Sequence, residues 1–281
     1  MSTNTIIRPI IFAKEVIRNR DIKNVFYKYA NSDYTGELKK AWDTVTVQTL
    51  PTLSFASWTA WAPITASNFT ITSENLVIDT VKQLAVTLKD IEMTQSNLTL
   101  EEKVAQRFAE AEARLFDEAV RDQILTVQVA DIPAGNKLNS AAPITQTKAT
   151  VFWDLEAMKV ALAEQNVTEN LVCFVSPKCA SLIRQSGLLD NSDKWLEVRV
   201  KGYMGMLSGV EVVETNALTA SKEMIMMEKG AVNMVVQLNK YDVRQGTDGF
   251  YENLIAEIIY WLKIFGENTK ACCINYVASY A

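Results

Sequence analysis

Asp90 and Glu92 stand two positions apart in VTLKDIEMTQ (86–95), at the end of an alternating run. On a strand, residues i and i+2 share a face, with Cα atoms about 6.5–7 Å apart. That spacing suits two cooperating carboxylates, because inverting glycosidases hold theirs about 6.5–9.5 Å apart. Joined by Glu74 or Asp79, the pair could also offer oxygen ligands to a divalent cation. Either chemistry needs partners. The chain has no histidine, which removes histidine-dependent triads, histidine metal sites and histidine pH switches together. Its four cysteines, Cys173, Cys179, Cys272 and Cys273, form no C-x-x-C pair and read as buried free thiols. Gly202, Gly205 and Gly209 make G-x-x-G-x-x-x-G, which is neither a phosphate loop nor a dinucleotide fingerprint, and read as a turn. Ser176 in VSP lacks the G-x-S-x-G elbow. The residues therefore predict no catalytic, cofactor-binding or metal site, and Asp90 and Glu92 read as a structural polar edge.

The elements around them belong to an ordinary folded chain. Hydrophobic residues make up 48% of the 281 positions and charged residues 22%, enough for a sizeable core. No apolar run reaches the ~18 residues of a membrane span. The opening MSTNTIIRPIIFAKEV shows no basic region followed by an unbroken apolar segment, so no secretory signal is expected. A net charge of −5 argues against a dedicated sequence-reading DNA protein. The charge is uneven: up to Lys40 there are eight basic and four acidic residues, and from Ala41 to Val81 there is no lysine or arginine.

Residues 1 to about 40 read as an extended arm with one helix, on a loose stripe of Phe12, Glu15, Val16, Asn19 and the later Val25, Phe26 and Tyr29. WDTVTVQTL alternates as a strand. After a small-residue segment carrying Trp58 and Trp61, FTITSENLVIDTVKQLAVTLKD returns as one long β segment. Such a hairpin is marginal in water and needs something to lie on. Thr99 and Glu102 make a capping-box spacing before a long amphipathic helix, with Leu100, Val104, Phe108, Ala111, Leu115 and Ala119 as its apolar stripe and a solvated charged face opposite. A second helix runs from Lys148 to about Gln165, with Phe152, Leu155, Met158 and Leu162 in register. LVCFV is a strand buried on both faces, PKCASLIRQS a helix opened by proline, and GMLSGVEVVETN a turn feeding a strand. Two β-rich segments close the chain.

In order and spacing these segments resemble the major capsid (coat) proteins of tailed double-stranded DNA bacteriophages, with the Hong Kong 97-type fold. The resemblance rests on WDTVTVQTLPTLSF, on Asp79, Lys82, Asp90, Glu92 and Gln95 within and after NLVIDTVKQLAVTLKDIEMTQS, on the long helix, and on LVCFVSPKCASLIR and GMLSGVEVVETNAL. It implies an α+β fold with an N-arm (1–43), an extended E-loop (44–76), a P-domain (77–147, with a spine helix about 99–125), an axial A-domain (148–238) and a return to the P-domain (239–281).

The resemblance also implies a function: a non-enzymatic coat subunit that self-assembles into hexamers and pentamers of an icosahedral head. Its partners would be copies of itself, a scaffolding protein and portal, and packaged DNA touched non-specifically. No membrane is involved, and the protein would belong to the virion, assembled in the bacterial cytoplasm. The hairpin would lie across a neighbouring subunit, with Trp58 and Trp61 as anchors; an aromatic cluster stabilising the loop itself is the alternative. Asp90 and Glu92 become polar contacts at the junction of loop and P-domain. Lysine cross-linking through the E-loop is not expected, since that segment has no lysine. An encapsulin-type nanocompartment shell is the nearest rival, and an α+β enzyme using Asp90 and Glu92 as acid and base a remote one.

Overall fold

The computed structural model describes residues 16, 25–33, 44–49, 57, 71–77, 80–89, 100–186, 205–218, 222–245 and 251–281. Strands β1 (Thr44–Thr49), β2 (Thr72–Val77) and β3 (Thr80–Lys89) precede the long helix α1 (Leu100–Asp122), whose end widens into a π-turn over Gln123–Val127. β4 (Lys137–Leu138) and β5 (Ile144–Gln146) lead to α2 (Val151–Glu164), β6 (Leu171–Val175) and α3 (Pro177–Gln185). β7 (Met206–Leu207), β8 (Val210–Glu214), β9 (Met224–Glu228), β10 (Asn233–Gln245), β11 (Tyr251–Lys263), β12 (Cys272–Asn275) and β13 (Val277–Tyr280) follow.

A six-stranded sheet in the order β4-β12-β9-β6-β8-β7 organises the larger core. β6 at its middle is buried at every residue, as its unbroken apolar run requires, because successive side chains point to opposite faces. Leu171, Cys173 and Val175 face α2 and α3, meeting Leu155, Met158, Leu162 and Ile183. Val172 and Phe174 face the other way, onto Phe116, Val120 and Ile124 of α1 and its π-turn. The result is helix, sheet and helix in three layers. The four cysteines are buried within them, and burial pushes the Cys179, Cys272 and Cys273 thiols up to about 12. Ser176 is the N-cap of α3: its Oγ accepts the Cys179 N–H at 3.3 Å, which leaves it a structural role.

α1 also reaches a second, three-stranded sheet in the order β10-β11-β3, antiparallel throughout. There Ala105, Phe108 and Ala109 pack with Val16, Tyr241, Leu254 and Ala256. One helix therefore covers two sheets with successive halves of its length. The first hairpin, β1 with β2, forms its own two-stranded sheet, paired from Thr44↔Val77 to Thr49↔Thr72.

Two expectations change. The long β segment is two strands in two sheets: β2 pairs with β1, and β3 pairs with β11. The buried stripe of α1 is Ala105, Phe108, Ala109, Glu112, Ala113, Phe116, Asp117 and Val120, while Ala111 of the expected stripe is exposed and Val104, Leu115 and Ala119 are half-buried. The alanine-rich helix offers little contrast in hydropathy, and two of its carboxylates point inward because each meets a donor there.

Candidate assembly surfaces

Residues 25–33, within the expected arm, and strands β1 and β2, at the two ends of the expected loop, meet the rest of the described residues, and both are held by buried or half-buried carboxylates. Asp117, 7% exposed, turns from α1 toward the arm. Its Oδ1 accepts the Phe26 N–H at 2.8 Å and the Val25 N–H at 3.2 Å, the latter shared with Oδ2 at 3.3 Å. Burial raises its pKa to about 6, even though the arm's N–H groups pull the other way; the neighbouring Glu118 adds repulsion.

Beside Asp117 the Phe26 ring stacks on Phe174 of β6 with centroids 4.0 Å apart. The Tyr29 ring meets Phe174 edge-on at 5.6 Å, and its hydroxyl donates to Glu211 Oε1 at 2.5 Å. Lys229 reaches the other Glu211 oxygen at 2.7 Å. Burial would raise the Glu211 carboxyl, but the Lys229 and Tyr29 bonds outweigh it and hold the pKa below its usual value. The arm then runs parallel to the start of β10: Asn31 N donates to the Val232 carbonyl at 2.8 Å, and Met234 N donates back to Asn31 at 2.9 Å.

The loop is rooted by Glu74 of β2. One oxygen accepts the Gly266 N–H at 3.0 Å and the other pairs with Lys263 at 2.8 Å, at the end of β11. The Lys263 bond is the main reason its carboxyl lies below the usual range; burial opposes it. Val47 packs against Val235, Ile259 and Phe265 nearby. Glu74 is thus engaged by an ammonium group and a backbone amide, not by other carboxylates, and among the described residues no cluster of three histidine, cysteine, aspartate or glutamate side chains could hold a metal.

Within the glycine turn, Gly205 and Gly209 have φ of 69° and 81°, and Ser208 has φ of 53°. Leu207 pairs with Val210 across Ser208 and Gly209, the two-residue hairpin loop that needs positive φ at both positions. Trp58, Trp61, Asp90, Glu92 and Gly202, with Asp79 and the capping residue Thr99, lie outside the described residues. Sequence reasoning gave Phe26 and Tyr29 only a place in the arm's loose stripe, and missed Asp117 and Glu211 altogether. A carboxylate directly after Phe116 on an apolar helix stripe was the available signal for the first of them.

An open groove of about 770 Å³ lies against Asp117, with Glu110, Glu118 and Glu214 among its walls and Arg114 the one basic side chain there. Its carboxylates suit a cationic group and repel phosphate. None of the described helices is long and apolar enough to cross a membrane.

No protein-family model and no curated protein matches the chain. Solved structures do. One from Mycobacterium phage Che8 is 22% identical, with a TM-score of 0.73 over 89% of this chain and 90% of that one. The capsid structure of the cyanophage P-SCSP1u is 14% identical, with a TM-score of 0.70 over 91% and 88%. The chain has the phage capsid-protein fold. A virus-like particle from Pyrococcus furiosus shares it more distantly, at 11% identity and a TM-score of 0.56 over 93% and 96%. The capsid fold agrees with the Hong Kong 97-type α+β class expected from the order of segments.

Proposed function

We propose that the chain is a major capsid protein, assembling with copies of itself into the icosahedral shell of a tailed phage. The observation that carries this is the likeness over nearly the full length of both chains to phage structures, one of them the capsid of a cyanophage. The shell is non-enzymatic in this reading, and belongs to the virion after assembly in the host bacterial cytoplasm. Scaffolding protein and portal are its assembly partners, and packaged DNA touches the inner surface through non-specific phosphate attraction.

The N-arm comprises 1–43 and the E-loop 44–76. The P-domain comprises 77–147, with the long helix as its spine, and the A-domain 148–238. The chain's end, 239–281, returns to the P-domain. Trp58 and Trp61 anchor the E-loop on a neighbour, and Asp90 and Glu92 make polar contacts at the loop junction.

Expression of the full chain, alone and with a candidate scaffold, followed by sedimentation and negative-stain microscopy, tests the reading. Closed particles are expected, and subunits that stay small under every condition refute it. Replacing Trp58 and Trp61 together with alanine should impair assembly more than subunit folding; equal loss of both would place them in a core. Asp90→Asn with Glu92→Gln should disturb assembly or particle stability.

A nanocompartment shell is the second reading, favoured by the likeness to the Pyrococcus furiosus particle. Particles purified from the native source decide between them: double-stranded DNA inside supports the phage head, and an enclosed enzyme supports the compartment.

A further inference from the structure

Helix α2 is apolar on both sides. Leu155, Met158 and Leu162 are buried against the six-stranded sheet. On the outer side Trp153, Ala157 and Val160 recur at i, i+4 and i+7 and are all exposed, one stripe of the helix surface. Trp153 is 71% exposed and Val160 55%. A helix facing water on one side carries polar residues there, and one that is apolar all round is a covered helix. α3, on the same face of the sheet, follows the ordinary rule: it buries Ala180 and Ile183 and turns Lys178 and Gln185 outward. Lys159 of α2 donates to the Ser208 carbonyl at 2.6 Å, which fastens the helix to the β7–β8 turn, where Met206 is also 71% exposed.

The size of this patch identifies what covers it. A buried tryptophan contributes about 150–250 Å², and a valine, an alanine and a methionine bring the patch to a few hundred. A stable stand-alone complex needs about 800 Å² from each partner. The stripe therefore cannot hold a free protein by itself. It adds to a contact that other surfaces already maintain, where a linked second site gains from effective concentration. Charge points to the same partner. Glu156 and Glu164 flank the stripe on α2, whose one lysine, Lys159, is held by the Ser208 carbonyl, while the outer surface of α3 carries Lys178. A head-to-tail contact joins two different patches of the same chain, and the acidic border of α2 and the basic outer surface of α3 are complementary in that way.

We propose that the Trp153–Ala157–Val160 stripe of α2 is an intersubunit contact, packing on the α3 side of a second copy of this chain. The proposal rests on the shell reading and names a surface of it. It can be tested separately because the four native cysteines are all buried, so that Ala157→Cys adds one accessible thiol at the centre of the stripe. Maleimide labelling of that variant is compared between dissociated subunits and closed particles. Labelling in particles should slow by about tenfold or more, the factor that corresponds to 1.4 kcal/mol of closure. Trp153→Arg should raise the subunit concentration needed for assembly by roughly tenfold or more, as expected for an interface aromatic, and leave the unfolding midpoint of the dissociated subunit unchanged.

Equal labelling in particles and subunits overturns the proposal, as does protection that appears only when a second kind of protein is added. A lowered unfolding midpoint for Trp153→Arg overturns it too, because the stripe would then belong to the subunit's own core. Absence of particles under all conditions removes the shell reading itself, and this contact with it.

Discussion

Asp117→Asn separates the charge at the arm anchor from its shape. The ionised carboxylate is buried, and its pKa stands at about 6 against the usual 3.8. The folded subunit therefore binds a proton that the unfolded chain has released. The associated stability is fully present below about pH 4 and is lost as pH rises through about 6. At 1.36 kcal/mol for each pH unit of displacement, the loss is about 3 kcal/mol at pH 7.5 and about 1 kcal/mol at pH 4.5, where most of the protein is still protonated. Asparagine has no charge to bury and keeps one acceptor oxygen for the Phe26 N–H. It aims an NH₂ group at the Val25 N–H instead, for a loss of about 1 kcal/mol at every pH. The variant should therefore be about 2 kcal/mol more stable than wild type at pH 7.5 and about equal at pH 4.5. Urea unfolding of dissociated subunits, followed by far-ultraviolet circular dichroism at both pH values, reads the difference, and contributions of other carboxylates cancel between the two proteins. A gap that is the same at both pH values, or larger at pH 4.5, refutes the assignment of the titration to Asp117.

Three other changes follow from the same geometry. Tyr241→Phe removes the hydroxyl that donates to Glu112 Oε2 at 2.7 Å in a buried setting; the urea midpoint should fall by an amount equivalent to about 1–3 kcal/mol, and an unchanged midpoint would make that bond unimportant. At Gly209 an added Cβ would have room, with Lys159 Nζ its nearest neighbour at 3.9 Å, but φ is +81°. Gly209→Ala should therefore cost about 1–2 kcal/mol from backbone strain alone, seen as a lower thermal midpoint. Glu74→Gln weakens a pair whose side chains are each about a quarter exposed; the effect should stay within about 1 kcal/mol and appear as faster amide exchange in β1 and β2. Because the Glu74 pKa is lowered, the wild-type pair is stable at neutral pH and loosens as pH falls through that lowered value, so the two proteins should converge in acid.

Much of the body was legible because local and tertiary demands agree there. LVCFV is apolar at every position and is buried at every position. Pro177 and Ser176 mark the start of α3 by backbone chemistry alone. Thr44–Thr49 alternates and pairs as a strand. Where the two demands diverge, the reading failed. Nothing between Leu76 and Thr80 breaks the β pattern, so the change of sheet between β2 and β3 is set by partners far along the chain. In α1 the length was legible but the buried face was not, since Ala105, Ala109 and Ala113 give a hydropathy scale almost nothing to weigh against Leu115 and Ala119. Phe26 stood only in a loose apolar stripe, and its place against Phe174 was not legible because that stacking partner belongs to β6.

Paired acids at short spacing are what a catalytic motif presents, and Asp90 and Glu92 have that spacing. The acids that organise the described residues have none. Asp117 meets the Val25 amide from 92 positions away, Glu112 the Tyr241 hydroxyl from 129, Glu211 the Tyr29 hydroxyl from 182, and Glu74 the Gly266 amide from 192. Each joins two different parts of the molecule: arm to long helix, long helix to three-stranded sheet, arm to large sheet, loop hairpin to the end of β11. A buried carboxylate left without its donor is costly, so Glu112 and Glu211 penalise the state in which their two segments separate. At Glu211 that penalty acts on a segment too narrow to hold itself by apolar area. An arm of nine described residues and a two-stranded hairpin have little surface to bury, and a polar bond to the body is a means by which they keep a fixed direction on leaving it.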